Sequence, residues 1–533
     1  MLKINKIDKF TTSLFFLIFL TTGFFIYDDY GISCDEDIQR QIGTTNYNYI
    51  THKDNELITD IDRYHGPFFE IFLIGAEIIW NHLKSNNGYL DISDVYLLRH
   101  LITFLTFFVG VFFFYLLCKH HFGNWKVALL GSLLLILSPR IFSHSFYNSK
   151  DLPFLSLFII SIYTLIKFLD KKTIFRAFLH GLTCAVLIDI RIMGILVPCL
   201  TFLFIGLDIF CDPKSIIQKC KKMIPITAFY GLILILFTIL FWPILWKNPV
   251  YHFIEAFKDL YHHVWYLDVL YLGEYLSAAD VPWHYIPVWL LITTPILYIL
   301  FFIIGLFFMM RSFFIEFRTI LKYNQIQRNL IFLLWFFLPL FTVIAFHSVV
   351  YDSWRHMFFI YPAFLLISVN GITNCHTWIR LKLKGYSRRV GTILFIAFFL
   401  GGLSPILYFM VKHHPYQNIY FNRFAGKNMA SNKQKFELDY WGLSFKSALE
   451  YIALHDNDEI INLHFEDYCG KSTFFMILPR NQRNRLRYVN HIEDAKYFLG
   501  NYRWHREEYP FKEKFYSVNI DGADIMVVYQ LKG

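Results

Sequence analysis

Apolar stretches dominate the first 411 residues of this 533-residue chain and constrain its fold more than any other feature. A helix needs about 20 mostly apolar residues to cross roughly 30 Å of hydrocarbon, and eleven stretches approach or exceed that requirement. They are Phe10 to Tyr27, Leu97 to Cys118, Val127 to Ser138, Leu152 to Phe168, Ala177 to Ile188, Ile192 to Phe210, Met223 to Trp246, Tyr285 to Met310, Asn329 to Phe346, Met357 to Asn374 and Gly391 to Val411. The sequence therefore predicts an α-helical polytopic membrane protein with about eleven transmembrane helices.

The composition excludes an ordinary soluble enzyme. Hydrophobic residues make up 56% of the chain and charged residues only 17%, whereas soluble domains carry about 25% charged residues. The formal charge of +9 requires no nucleic-acid partner, because the basic residues sit largely where cytoplasmic loops meet anionic headgroups of the lipid bilayer.

Charge sets the predicted sidedness. Segments on the N-terminal side of the predicted helices carry Lys and Arg roughly four times as densely as the opposite segments, in line with the positive-inside rule. The weakest pair of helices flanks Asp189 and Arg191, and one helix of about 30 residues is the alternative. Merging the pair would put the basic stretch around Lys219 outside, so we predict two helices and a cytoplasmic N-terminus.

Two regions outside the membrane stand out, both on the opposite face. The first external loop, residues 28–98, contains an apolar run from Gly66 to Leu83 in which Glu70 and Glu77 fall on one helical face, as in a juxtamembrane helix. Residues 412–533 follow a predicted transmembrane domain that spans residues 1–411, and they have the composition of a soluble domain. We predict that they form a small extracytoplasmic α/β domain. The strand-like runs of this α/β domain are IINLHF, RLRYVN, AKYFLG, KFYSVNI and ADIMVVYQL.

Cysteine usage is sparse, and most cysteines lie in apolar runs. Only Cys34 and Cys469 fall in predicted external segments. No disulfide framework or zinc spacing emerges, and the sequence does not decide whether these two pair.

Ionisable residues gather at the predicted external ends of helices. Asp35, Glu36 and Asp37 follow the first span directly. An acidic external loop is the plain interpretation, but carboxylates at the mouth of a helix bundle can also serve as a general base for a hydroxyl nucleophile.

Two later external loops add cations. Lys150 and Asp151 end the loop SPRIFSHSFYNSKDLPF, and Arg355 follows Asp352 in HSVVYDSWRHMFFIYP. A lysine at the position of Lys150 is explained if its long side chain reaches the membrane–water interface. An arginine at the external position of Arg355 indicates either a bound anion or a local ion pair with Asp352. The same two explanations apply to Arg191.

Walker loops, GxGxxG after a strand, HExxH and serine elbows are absent from the sequence, which leaves nucleotide hydrolysis and common protease chemistry without a motif.

The order of these features resembles the GT-C membrane glycosyltransferases, in the branch of protein O-mannosyltransferases and the aminoarabinose transferase of lipid A (glycosyltransferase 39 type). The pair Asp35-Glu36 is similar to the Asp-Glu pair of that family's first external loop, and Asp151 in NSKDLPF matches its acidic second-loop site. RYHGPFFEI resembles the segment entering a juxtamembrane helix, although His65-Gly66-Pro67 stands where Pro-Pro is usual. VPWHYIPVWLLITTP, YDSWRHMFFIYP and FELDYWGLSFKSALEYI extend the resemblance over most of the chain.

The resemblance implies transfer of a sugar from a polyprenyl (or dolichyl) phosphate donor to an acceptor hydroxyl, with inversion. It assigns Asp35 as the base, with Glu36 either orienting Asp35 or acting as base itself. Arg355 is the first choice for the donor phosphate, followed by Lys150 and Arg191, while Asp151 positions the sugar or a divalent cation. His65 and His356 complete the predicted donor-binding set.

The implied partners are the lipid donor and a glycan, lipid or protein acceptor. The resemblance implies no definite cofactor, and it leaves open whether a divalent metal binds at Asp151. Residue usage leans towards a bacterial inner membrane, with the C-terminal domain in the periplasm. Three alternatives remain open: a secondary transporter, for which inverted repeats are missing, a membrane scaffold, and a polyprenyl-linked glycan polymerase or ligase.

Overall fold

The computed structural model describes residues 6–52, 54–84, 90–210, 216–261, 265–315 and 325–532. Parts of the basic segments used for sidedness, at 1–5, 211–215 and 316–324, lie outside the described residues. The first 412 residues form, in chain order, α1 (Lys6–Ile26), α2 (Cys34–His52), α3 (Glu56–Thr59), α4 (Phe68–Lys84), α5 (Ile92–Phe122), α6 (Trp125–Ile136), α7 (Pro139–Tyr147), α8 (Asp151–Asp170), α9 (Ile174–Ile188), α10 (Leu196–Phe210), α11 (Ile216–Phe241), α12 (Pro249–Tyr261), β1 (Asp268–Tyr271), β2 (Glu274–Ser277), α13 (Tyr285–Thr293), α14 (Ile296–Ile315), α15 (Gln325–Ala345), α16 (Tyr361–Lys382) and α17 (Gly385–Lys412).

The polytopic helical fold is confirmed, and about eleven predicted spans compare with nine in the described residues, or ten if the bent pair α6 and α7 forms one span. Among the described residues, nine helices are long and apolar enough to cross a membrane: α1, α5, α8, the 3₁₀ turn and α10 together (Ile192–Phe210), α11, α14, α15, the 3₁₀ turn and α16 together (Arg355–Lys382), and α17. The predicted stretch 127–138 lies mostly in α6, which has 12 residues, and 177–188 lies in α9, which has 15. Both stretches are helical, but neither α6 nor α9 is long enough to cross a membrane by itself, because its apolar run ends early.

Local chemistry explains these breaks. α6 and α7 meet at a bend of 70° before Pro139. The predicted single span from Tyr285 to Met310 is divided into α13 and α14, because Thr294 precedes a proline and adopts an extended backbone, φ −93° and ψ 138°. The doubtful pair around Asp189 and Arg191 is two helices, as predicted, since α9 ends at Ile188.

The juxtamembrane run forms α4, and its two faces differ sharply. Glu70 and Glu77 are buried, whereas Phe72, Ile79 and Leu83 are 54%, 63% and 75% exposed. An apolar face left open beside a buried acidic face is typical of a helix lying on a membrane surface.

Residues beyond α17 form a mixed five-stranded sheet with short helices. The elements are α18 (Met429–Lys433), α19 (Phe445–His455), β3 (Ile461–Phe465), α20 (Tyr468–Ile477), α21 (Arg480–Arg483), β4 (Leu486–Tyr488), β5 (Tyr497–Gly500), β6 (Lys514–Ile520) and β7 (Ala523–Gln530). The strand order is β4-β3-β5-β7-β6, with β3 parallel to both neighbours and the β5–β7 and β7–β6 pairs antiparallel. All five strand-like runs are therefore confirmed as strands, while the division into two domains at residue 412 stays a prediction.

The C-terminal segment packs directly on the helix ends that lie near the acidic triplet. Backbone hydrogen bonds join the C-terminal segment to the helical region. The Cys34 amide donates to the Trp441 carbonyl at 3.3 Å, and the Asn422 amide donates to the Ile292 carbonyl at 2.8 Å. These contacts place residues 440 and 441 beside the start of α2, where the acidic triplet lies.

A buried ion-pair cluster joins α4 to α5. Arg99, only 1% exposed, pairs with Glu70 and, at 2.9 Å, with Glu77, and Glu77 also pairs with Arg40 of α2 at 3.0 Å. Three helices are thus held together by charges, of which Arg99, Glu70 and Glu77 are buried and Arg40 is partly exposed.

Replacing Arg99 with Met should lower the free energy of unfolding by about 3–5 kcal/mol, because it leaves two buried carboxylates without their shared cation. The measurement is the Tm of the purified protein in detergent. Lys258→Met, which breaks the exposed pair with Glu255 at 2.7 Å, is the control and should change the Tm little. Equal Tm values for the two variants would contradict the role of the cluster.

Candidate active site at the outer helix ends

The acidic triplet forms the first turn of α2, and its three carboxylates have different surroundings. Glu36 is 2% exposed; its Oε1 accepts from the Ser33 amide at 2.7 Å and its Oε2 pairs with His100 Nε2 at 2.9 Å. Both oxygens are therefore committed to holding the start of α2 against α5.

Asp35, by contrast, faces a cavity. Its side chain is 30% exposed, and Oδ2 lies 3.3 Å from Nη2 of Arg355. Loss of hydration raises the pKa of Asp35 above its usual range, because this effect exceeds the opposing attraction of Arg355. A carboxylate that is open on one side and has a raised proton affinity can take a proton from an incoming hydroxyl.

Asp151, the first residue of α8, is enclosed instead. Its Oδ1 pairs with Arg191, while Oδ2 accepts from Asn148 Nδ2 at 3.0 Å and lies 3.4 Å from Nη1 of Arg355. The side chain is only 2% exposed. Asp151 thus fixes two arginines rather than offering a free oxygen.

Arg355 links the whole arrangement. Its guanidinium reaches Asp35, Asp151 and Asp352, the last at 3.2 Å. Trp441 lies against the guanidinium, with its ring centroid 4.9 Å away. The arginine is buried, so its position is fixed by these neighbours.

Three arginines of the cluster retain donors without an acceptor. Within the described part of the chain, Nε of Arg191, Nε of Arg355 and Nε of Arg503 are buried and have no hydrogen-bond partner. Unpaired guanidinium donors are costly in a buried site, and an anionic oxygen is the acceptor that suits them best.

Lys150 adds a further cation at the same cavity. Burial and the nearby Arg191 lower the pKa of Lys150 to about 8. The cavity is small, with about 10 Å³ of space open to a water-sized molecule. Its lining residues come from α2, the loop before α8, the loop before α16 and the C-terminal segment: Ser33, Asp35, Glu36, Gln39, Tyr147, Asn148, Ser149, Lys150, Arg355 and Trp441.

Backbone strain marks the same place. Asp352 and Ser353 have φ values of 53° and 63°, in the left-handed region that non-glycine residues rarely adopt. Asp352 Oδ1 pairs with Arg503 at 3.1 Å, and Arg503 is flanked by left-handed residues on both sides. Strain of this kind persists only where the surroundings fix it, and it concentrates at functional sites.

The two predicted histidines lie at the edge of the cluster. His65 pairs with Asp62 at 3.1 Å, and burial together with the nearby Lys150 lowers the pKa of His65. His356 packs edge-on against Tyr351, with ring centroids 4.7 Å apart. Neither histidine contacts Asp35 in any interaction that the described residues make.

All eight predicted site residues are near one another, but the prediction omitted four that belong with them: Asn148, Asp352, Trp441 and Arg503. Asp352 was treated only as a local partner of Arg355, and Trp441 lay in a quoted motif without a role. Arg503 carries no sequence signal, because it is one of several basic residues in a soluble segment.

The residues present do not fit a divalent cation. In the described ranges no group of three or more His, Cys, Asp or Glu side chains is arranged to hold a metal ion. Asp151, the predicted ligand, is surrounded by two arginines that repel a cation and occupy its oxygens.

Replacing Glu36 with Ala should cost about 1–3 kcal/mol of stability, because the Ser33 amide and His100 lose their buried acceptor. The Tm of the purified protein measures this. Gln41→Ala, on the exposed side of the same helix, is the matched control and should leave the Tm unchanged; an equal Tm for Glu36→Ala would show that α2 is held by other contacts.

Comparisons with known proteins give structural matches alone. No family model and no curated protein matches the chain. ArnT from Cupriavidus metallidurans bound to undecaprenyl phosphate is similar over 97% of both chains, with 12% identity and a TM-score of 0.44. The apo state of the same protein is similar over 97% of this chain and 98% of that chain, with 11% identity and a TM-score of 0.43. ArnT is a GT-C glycosyltransferase, the class that the sequence motifs resemble, but values this low say nothing about chemistry, which has to be read from the residues of the site.

Proposed function

We propose that the chain is an integral-membrane glycosyltransferase that moves a sugar from a polyprenyl-phosphate donor to an acceptor hydroxyl. The reaction takes place at the outer ends of the helices, on the extracytoplasmic face. In this proposal the N-terminus is cytoplasmic and the C-terminal segment is periplasmic, in a bacterial inner membrane.

One observation carries the proposal: of the carboxylates in the described cluster, only Asp35 both lines the cavity and keeps an exposed side, and it lies beside cations. Asp35, Arg355 and Lys150 line the same cavity, and Arg191 is tied to Arg355 through Asp151. The unpaired guanidinium donors of Arg191 and Arg355 point to a phosphate as the missing partner. A carboxylate base next to a phosphate site is what transfer from a phosphate-linked sugar requires.

The chemistry follows from the donor. The acceptor oxygen attacks the anomeric carbon as the bond from that carbon to the phosphate oxygen breaks, so a single displacement inverts the configuration. The acceptor proton passes to Asp35, and the polyprenyl phosphate leaves with its extra negative charge held by Arg355, Arg191 and Lys150. The leaving phosphate needs no strong general acid.

Burial separates the roles of the three carboxylates. Both carboxylate oxygens of Glu36 are engaged by Ser33 and His100, which favours the orienting role over that of base. The oxygens of Asp151 are engaged by Asn148 and two arginines, which favours positioning of the phosphate-binding cations. Of the three, Asp35 alone keeps an exposed side. The reaction involves no metal ion at Asp151, because cations already surround that carboxylate.

Aromatic side chains offer a surface for the sugar. Trp265 stacks on Tyr351 with centroids 3.9 Å apart, and the Tyr351 ring lies 5.1 Å from the Arg355 guanidinium. His356 packs on the same tyrosine. Sugar rings commonly lie on such faces, so we place the transferred sugar on this side of Arg355, with His65 on the Lys150 side.

Asp35→Asn should reduce transfer at least about 10²-fold, because the amide cannot accept the proton. The assay uses purified protein in lipid vesicles with labelled polyprenyl-phosphate sugars and a mixture of glycan, lipid and peptide acceptors. Asp37→Asn is the matched control: Asp37 is in the same helical turn, bonds to Tyr96 and Gln41, and should keep activity.

Equal activity of the Asp35→Asn and wild-type proteins would remove Asp35 as base and direct attention to Glu36. Absence of transfer from every donor, combined with substrate flux across the vesicle membrane, would favour the secondary transporter. Extension of a lipid-linked glycan by repeated units would favour the polymerase or ligase.

The rate should depend on pH in both directions. Because the pKa of Asp35 is raised, the base is lost by protonation as pH falls, and the acid limb should lie above the range of an ordinary aspartate. Because the pKa of Lys150 is lowered to about 8, one phosphate-binding cation is lost as pH rises through that value. Initial rates between pH 4 and pH 10, on the scale of these groups, check both limbs, and Lys150→Arg should move the alkaline limb upward.

A further inference from the structure

Two cysteines from distant parts of the chain meet beside the site. Cys34 is the first residue of α2, directly before Asp35, and Cys469 lies in α20. Of the seven described cysteines, the other five lie in the helical region before residue 412, namely Cys118, Cys184, Cys199, Cys220 and Cys375. The pair therefore joins the helix that carries the proposed base to the C-terminal segment.

Their contacts place the two sulfur atoms side by side. Nη1 of Arg503 lies 3.7 Å from Sγ of Cys34 and 3.2 Å from Sγ of Cys469. Both are unpaired thiols in the structure, and both are buried, at 7% and 1% exposure.

The backbone around them is fixed as well. The Cys34 amide donates to the Trp441 carbonyl at 3.3 Å, and Sγ of Cys469 lies 4.0 Å from the Tyr440 carbonyl oxygen. Residues 440 and 441 thus contact both cysteines. A disulfide needs two residues that lie close together, and the shared contacts with Arg503 and with residues 440 and 441 bring these two cysteines together.

We propose that Cys34 and Cys469 are joined by a disulfide bond in the mature protein, and that this bond fixes the start of α2 against the C-terminal segment. The proposal rests on the sidedness given under the proposed function, because disulfides persist in oxidising compartments such as the bacterial periplasm and are rare in the cytosol.

The oxidant is a disulfide-bearing compound, a small molecule or an oxidoreductase. One cysteine thiolate attacks a sulfur of that disulfide, forming a mixed disulfide and releasing the first thiol of the oxidant. The second cysteine thiolate then attacks the protein sulfur of the mixed disulfide and releases the second thiol. The protein loses two electrons and two protons, and the oxidant takes up both.

Burial sets the order of events. Desolvation and the neighbouring Cys34 raise the pKa of Cys469 well above its usual range, so the thiol is a poor nucleophile once the C-terminal segment has packed. Oxidation therefore comes before packing is complete. The finished bond is then sheltered from thiol reductants by the same burial.

The bond acts on the site through position. Asp35 follows Cys34 directly, and the distance from its carboxylate to Arg355 is 3.3 Å. Without the bond, the first turn of α2 is held by noncovalent contacts alone. Cys469→Ser should therefore lower the Tm, whereas Cys199→Ser, at an exposed cysteine of α10, should not.

The decisive experiment reads the bond itself rather than activity. Cells producing the full chain are quenched in acid, and the protein is denatured in SDS with N-ethylmaleimide, purified and digested. Mass spectrometry should find a disulfide-linked pair of peptides that contain Cys34 and Cys469 and that separate on reduction. Cys199 should carry the alkylating group. Cys469→Ser should abolish the linked peptide and leave Cys34 alkylated, and Cys199→Ser should retain it.

Alkylation of both Cys34 and Cys469 in the wild-type protein would overturn the proposal. A phosphatase reporter fused after the last residue, active only outside the cytoplasm, tells which premise failed. Free thiols with an external C-terminus refute the bond alone, and free thiols with an internal C-terminus refute the sidedness together with the bond. Sugar transfer by a protein with free thiols would leave the proposed glycosyltransferase activity intact.

Discussion

The ion-pair cluster around Arg355 is the interaction on which the site depends. One buried guanidinium is shared by Asp35 of α2, Asp151 of α8 and Asp352 of the loop before α16. A buried cation is expensive unless carboxylates surround it, so the three chain segments are drawn to a single point. Removing any one of them would leave charge unbalanced in a place that water reaches poorly.

The C-terminal segment completes this cluster rather than standing apart from it. Arg503 pairs with Asp352 at 3.1 Å, and Trp441 covers the face of Arg355. The left-handed backbone at Asp352 and next to Arg503 is a conformation that these contacts hold in place. The site is therefore built by the helices and closed by the sheet-bearing segment.

Burial distinguishes acidic residues that look equivalent in the sequence. Asp35 and Glu36 are neighbours and both line the cavity, yet Asp35 keeps an exposed side whereas Glu36 is enclosed by Ser33 and His100. In a helix, adjacent residues point about 100° apart, so α2 necessarily presents them to different surroundings. Which of the two stays open depends on how α2 packs against α5, and no local pattern contains that information.

The sequence by itself determined the membrane-embedded helical fold, the five strands near the C-terminus and the kinds of residue at the helix ends near the acidic triplet, because hydropathy, alternation and charge are local properties. It did not determine where a bend or a proline divides an apolar run, as between α6 and α7 and between α13 and α14. Only the tertiary structure decided which carboxylate is open, which arginines keep free donors, and that Cys34 meets Cys469. Those facts depend on contacts between residues as far apart as Asp151 and Arg355, 204 positions along the chain, and such contacts exist only once the helices have packed.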